Sequence, residues 1–152
     1  MTKNVISCKI NDISCERGGT VMNISEIKAL VLDDDVTKGM KVTRILKVCG
    51  VDVVAQVEDQ ESGFDVIYRN KDGEKKVSLI ITDMHYPLEK GAKADVDAGK
   101  KMIERVKKEN LEIPVIVFSS VNYDIPGALE TIWFSDNVNW EDKLRQVVRK
   151  MQ

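Results

Sequence analysis

The stretch VSLIITDMHYP, residues 77–87, decides the fold. Residues 77–82 are nearly all apolar and partly β-branched, with too few polar groups for a strand that has one face in water. They read as a central strand covered on both sides. Asp83 follows at once. A strand buried on both faces needs helices above and below its sheet. The flanking sequence supplies them, alternating short apolar runs with longer amphipathic stretches, the pattern of strands joined by crossover helices into a parallel sheet.

Upstream, residues 29–32 read as a buried strand. Residues 36–49 place Met40, Val42, Ile45, Leu46 and Val48 at helical spacing, with Gly50 as the stop. The valine-rich run 51–57 is a second strand, residues 62–68 with Phe64, Ile67 and Tyr68 a short helix, and Asn70, Asp72 and Gly73 a turn. Downstream, PLEKGAKADVDAG (87–99) has almost nothing to bury and is expected to be a mobile surface loop. Residues 100–109 form a helix on Met102, Ile103 and Val106, and residues 113–118 a fourth strand. Pro126 and Gly127 make a long helix over 123–131 unfavourable. Residues 131–134 are a short fifth strand, and residues 140–151 close with an amphipathic helix carrying Leu144, Val147, Val148 and Met151.

The 152 residues suffice for one core and not two, and 23 Lys plus Arg against 25 Asp plus Glu leave a net charge of −2. That balance excludes nucleic-acid binding or membrane attachment by bulk basicity, and 43% hydrophobic residues exclude a disordered chain. No apolar run approaches the roughly 20 residues of a membrane span, so a soluble cytoplasmic protein is expected. Cys8, Cys15 and Cys49 show no CxxC spacing and are expected to be reduced thiols. The domain is assigned to residues 27–152. Residues 1–26 do not join the alternation, and two readings of them stand open. In one, Arg17, Gly18 and Gly19 reflect a purine-rich ribosome-binding sequence and Met22 is the natural start. In the other, the segment adds a strand or hairpin.

Asp33, Asp34 and Asp35 follow the first strand directly, and Asp83 follows the third. The carboxyl ends of parallel strands share one edge of the sheet, so these carboxylates can converge there. Converging carboxylates repel unless a proton or a cation neutralises them, and an all-oxygen donor set suits Mg²⁺ or Mn²⁺. A plain helix cap needs one Asp, and three plus Asp83 leave a surplus. Ser119 and Ser120 end the fourth strand at that edge, where a hydroxyl can donate to an oxyanion or simply cap the following turn. Trp133, Phe134 and Trp140 read as core aromatics, with a partner surface as the other option.

Three segments taken together, ALVLDDD (29–35), LIITDMHYP (79–87) and IPVIVFSS (113–120), resemble the receiver domain of two-component response regulators over about four fifths of the chain. The resemblance implies a doubly wound α/β fold, a five-stranded parallel sheet in the order 2-1-3-4-5 with helices on both faces. It implies Asp83 as phosphoacceptor, Asp33 and Asp34 with Asp83 as Mg²⁺ ligands (Mn²⁺ being the alternative ion), the backbone carbonyl of His85 completing the metal shell, and Ser119 as phosphoryl contact. Asp35 is then the helix cap. It also implies a stand-alone signalling protein rather than an enzyme. Its partners would be a sensor histidine kinase or phosphotransfer protein and a downstream protein target, with a homodimer as a further option.

One departure stands out. The family's lysine at the end of the fifth strand falls near Ser135 or Asp136, and no Lys or Arg occurs between Lys108 and Lys143. Its loss should weaken phosphoryl binding by about 2 to 4 kcal/mol. Lys90 or Lys93 of the inserted loop is one replacement. Two rival readings remain: a pseudo-receiver that binds partners without phosphorylation, and a haloacid-dehalogenase-like phosphatase using Asp33, with Asp35 and Thr37 completing DxDxT.

Overall fold

The computed structural model describes residues 27–152. Cys8, Cys15, Met22 and both readings of the first 26 residues lie outside the described residues. In chain order the elements are β1 (Lys28–Leu32), α1 (Val36–Val48), β2 (Asp52–Val57), α2 (Gln60–Arg69), β3 (Leu79–Asp83), β4 (Tyr86–Pro87), β5 (Ala94–Asp95), α3 (Ala98–Lys108), β6 (Val115–Ser119), β7 (Glu130–Trp133) and α4 (Trp140–Met151). Five strands form one parallel sheet in the order β2-β1-β3-β6-β7, with β4 and β5 paired separately. With that short pair set aside, this is the expected 2-1-3-4-5 order.

Strand alternation sorts the core into two layers. Ala29 and Val31 of β1, Leu79 and Ile81 of β3, and Ile116 and Phe118 of β6 face α1 and α4, meeting Val42, Leu46, Leu144 and Val148. Leu30, Leu32, Ile80, Val115 and Val117 face the other way, onto Phe64 and Ile67 of α2 and Met102 and Val106 of α3. Each fully buried Leu, Ile or Phe contributes about 1.5–3 kcal/mol. The helix ends are set locally. Asp35 and Asp59 accept from the backbone N–H groups of Lys38 and Ser62 at 3.2 and 2.8 Å. Gly50, at φ +86°, lets Gly50 N and Val51 N return to the carbonyls of Lys47 and Leu46, closing α1 in a Schellman motif.

Two expectations need correction. The inserted segment lies at the surface as its composition implies, but it is not a structureless loop. Tyr86 and Pro87 pair antiparallel with Asp95 and Ala94, and Asp95 is held by the Lys101 ammonium at 2.6 Å. Hydrophobicity gave no hint of this, because the hairpin is made by backbone pairing and charge. The aromatic group also divides: Trp140 is buried, while Trp133 is exposed, its indole N–H reaching the Ser120 carbonyl at 3.3 Å. As expected, no helix forms between β6 and β7. Among the described residues no helix is long and apolar enough to cross a membrane, and Cys49 is a free thiol.

Candidate functional site

The carboxyl ends of β1, β3 and β6 meet at one edge of the sheet. Asp33 directly follows β1, Asp83 is the last residue of β3, and Ser119 is the last residue of β6. Parallel register brings them level: Leu32 lies opposite Thr82, and Asp83 opposite Phe118. Carboxylate oxygens of Asp33, Asp34 and Asp83 lie within 4.8 Å of one another. Asp34 is exposed, Asp83 half-buried, and Asp33 only 4% exposed. Burial pushes the Asp33 carboxyl up to about 6; the Lys38 charge works against that rise and the Asp83 charge adds to it. Three carboxylates so close are a hard, oxygen-only donor set of the kind that suits Mg²⁺ or Mn²⁺.

Beside them opens a cleft of about 340 Å³ lined in part by Lys38, Asp83, His85, Ser119, Tyr123 and Phe134. Ser119 is buried, and its Oγ accepts from the Val121 N–H at 3.0 Å. A hydroxyl that accepts still has its hydrogen to give, so Ser119 can cap the turn and donate to a ligand at once. His85 is exposed next to Asp83. Asp35 caps α1 and stands outside the carboxylate cluster, and Thr37 is exposed. The Asp35 N–H donates to Asp33 Oδ1 at 2.9 Å, while the Asp35 carboxylate is taken up by the helix cap.

The cation at this edge comes from α1 and not from the inserted loop, one of whose lysines was a candidate replacement. Lys90 and Lys93 are exposed and do not line the cleft. Lys38, in the first turn of α1, does: its Nζ lies 2.6 Å from Asp83 Oδ1 and 3.3 Å from Asp33 Oδ2. The residue that faces the cleft just past the end of the fifth main strand is Phe134, one position before Ser135 and two before Asp136, and the Lys38 ammonium sits 4.4 Å from the centre of its ring. A sequence signal for Lys38 existed. It shares the helical stripe of Val42, Ile45 and Leu46, all buried.

Two further positions went unmarked in the sequence. Gly99 lies against the loop after Asp83: its N–H donates to the Met84 carbonyl at 3.1 Å, and a Cβ there would stand 3.0 Å from the Asp83 carbonyl oxygen. Beneath the site, Gln60 Nε2 donates to Tyr86 Oη at 3.2 Å, Tyr86 Oη and Thr82 Oγ1 are 2.8 Å apart, and Thr82 Oγ1 donates to the Asp83 carbonyl at 2.9 Å. Burial pushes the Tyr86 phenol up to about 12, so it stays a neutral donor. The carbonyls of Asp83 and Met84 are thus both held by hydrogen bonds.

No protein-family model matches the chain, and no curated protein matches its sequence. Solved structures do match its backbone. One is a response regulator receiver domain protein from Clostridium thermocellum, 21% identical, covering 82% of this chain and 92% of that one with a TM-score of 0.61. Another is the signal receiver domain of the response regulator NarL from Mycobacterium tuberculosis, 19% identical over 84% and 96%, with a TM-score of 0.62. A third belongs to the CheX–CheY–BeF3–Mg²⁺ complex of Borrelia burgdorferi, 17% identical over 82% and 88%, with a TM-score of 0.61. The described chain has the fold of response regulator receiver domains.

Proposed function

We propose that this chain is a phosphoacceptor of a phosphorelay, taking a phosphoryl group on Asp83 and signalling through protein contacts rather than turning over a substrate. The observation that carries the reading is the convergence of Asp33, Asp34 and Asp83 within 4.8 Å, at the edge of a receiver-type sheet and beside the Ser119 hydroxyl. An Asp83 carboxylate oxygen attacks phosphorus, forming the O–P bond as the bond to the donor's leaving group breaks and that group departs with the electron pair. The Ser119 hydroxyl donates to a phosphoryl oxygen. Asp33, Asp34, Asp83 and the His85 backbone carbonyl would hold Mg²⁺ or Mn²⁺, which supplies neutralisation of the charge gathered around phosphorus. The donor is a sensor histidine kinase or phosphotransfer protein, and the output is a downstream protein target.

A second reading is favoured by the Lys38 ammonium lying between Asp33 and Asp83. A side-chain cation there neutralises the acids without a metal, as a pseudo-receiver would need. One experiment separates the two: incubation with acetyl phosphate and Mg²⁺, read by intact mass, on the wild type and on Asp83→Asn. One phosphoryl group gained by the wild type, absent without Mg²⁺ and absent from the variant, supports the phosphoacceptor. No Asp83-dependent gain supports the pseudo-receiver.

A further inference from the structure

Lys38 is an expensive place for a positive charge. It lies in the first turn of α1, where the helix dipole repels cations, no acidic side chain stands in that turn, and its side chain is only 10% exposed. Its surroundings offset that cost. Two carboxylates meet its Nζ, and the rings of Phe134 and Phe118 lie below it, with centres at 4.4 and 5.5 Å. Phe134 is in turn fixed by its N–H donating to the Ser119 carbonyl at 2.8 Å and by tilted packing on Trp140 at 5.2 Å. No other Lys or Arg among the described residues lines the cleft. Just before the position where the receiver resemblance calls for a cation, the chain therefore presents an aromatic ring to the cleft, and a cation reaches the same cleft from a helix, resting on that ring.

The geometry points to Lys38 as the cation that meets the phosphoryl group, delivered from α1 instead of from the strand end, with Phe134 as its positioning residue. This rests on the phosphoacceptor reading of Asp83. Before transfer the ammonium is paired with the Asp83 carboxylate. Once the O–P bond forms, Asp83 becomes an acyl phosphate whose remaining carbonyl oxygen bears no full charge, and the negative charge sits on the phosphoryl oxygens. Lys38, with three N–H donors, transfers one hydrogen bond from the carboxylate to a phosphoryl oxygen, and no proton changes hands.

The test uses the full chain with Mg²⁺ and beryllofluoride, a stable mimic of the phosphoryl group, binding being read by calorimetry and folding by circular dichroism. Wild type binds, and Asp83→Asn does not. Lys38→Met is expected to bind about 10²-fold more weakly, by analogy with loss of a single electrostatic contact to a developing oxyanion, and Lys38→Arg to recover most of that loss. Lys90→Met and Lys93→Met bind as wild type. Should Lys38→Met fail to fold, Phe134→Leu carries the test, with an expected weakening of about 2- to 5-fold from loss of the ring beneath the ammonium. Lys38→Met binding as well as wild type, or Phe134→Leu doing so where Lys38→Met fails to fold, overturns the role of Lys38 and leaves the phosphoacceptor reading intact. A wild type that shows no Asp83-dependent binding overturns the reading itself. A Mg²⁺ site present in Lys38→Met and absent from wild type would make Lys38 a substitute for the metal, which also overturns the proposal.

Discussion

Adding one methyl group at Gly99 sets two effects in opposition, and the structure decides between them. Gly99 is the second residue of α3, so by helix propensity alone Gly99→Ala should stabilise the fold by up to about 1 kcal/mol. Against this, the new Cβ would stand 3.0 Å from the Asp83 carbonyl oxygen, 3.2 Å from Met84 Cα and 3.2 Å from Val117 Cγ1. Two of those neighbours are backbone atoms of Asp83 and Met84, and they cannot rotate away. Overpacking of this kind costs about 1–3 kcal/mol, so the net expectation is a destabilisation of about 1 kcal/mol. The relief is a backbone shift of a few tenths of an ångström at Asp83, enough to slow phosphoryl acceptance several-fold, since a misplacement of about 1 Å can cost about 100-fold. Urea denaturation and the rate of labelling by acetyl phosphate measure the two effects. Gly73→Ala is the control, because the nearest atom to its Cβ is 3.9 Å away; its stability should stay within about 0.5 kcal/mol of wild type. A Gly99→Ala protein that is more stable than wild type and labels at an unchanged rate refutes the reasoning.

Other perturbations separate scaffold from site. Asp35→Ala removes the side chain that caps α1 and should lower stability by about 1 kcal/mol by denaturant melt, while acceptance on Asp83 persists; abolished phosphoryl chemistry would instead favour the DxDxT phosphatase. Phe64→Ala empties a fully buried position packed under the Arg105 guanidinium at 3.7 Å, so a loss of about 3–5 kcal/mol is expected. Phe64 is far from the chemistry in sequence and belongs to the opposite core layer from Phe118, so Mg²⁺ binding by the folded fraction should not change. Tyr86→Phe deletes the hydroxyl between Gln60 and Thr82; a cost of about 1–2 kcal/mol is expected, and a melt indistinguishable from wild type would show that this buried chain of hydrogen bonds contributes nothing net.

The fold was legible because its signals are local and strong. Residues 77–82 announce a doubly covered strand, and Asp33, Asp83 and Ser119 each end an apolar run, so strand direction alone places them at one edge. The predicted helices and strands match the observed ones to within a few residues at each end. What escaped was information carried by the third dimension. The hairpin of Tyr86–Pro87 with Ala94–Asp95 rests on backbone pairing and one ion pair, neither of which leaves a hydrophobic period. Gly99 looks like any glycine until Asp83 is folded against it. Lys38 carries a weaker signal because lysines are ordinarily solvated, although its spacing to Val42, Ile45 and Leu46 places it on the buried stripe.

A charge at an active site has to be correct at its terminal atom, not at its Cα. A lysine side chain is long and flexible enough that its ammonium can reach one point in space from several backbone positions, and the edge of a parallel sheet offers two such routes, one from a strand end and one from the first turn of the helix after β1. The routes differ in what must surround them. A strand-end lysine projects directly into the cleft. A lysine from the first turn of α1 opposes the helix dipole and crosses apolar ground, so it needs a negative partner at its tip and a polarisable surface along its side; Asp83 and Phe134 supply these at 2.6 and 4.4 Å. An aromatic residue just past the strand end and a lysine on the buried face of α1 thus explain each other. That coupling is itself checkable: combining Phe134→Lys with Lys38→Met should restore beryllofluoride binding lost in Lys38→Met alone, because the cation then returns by the other route. Failure of the folded double variant to recover any binding would show that the two positions are not interchangeable and that the pairing of Lys38 with Phe134 is only a feature of packing.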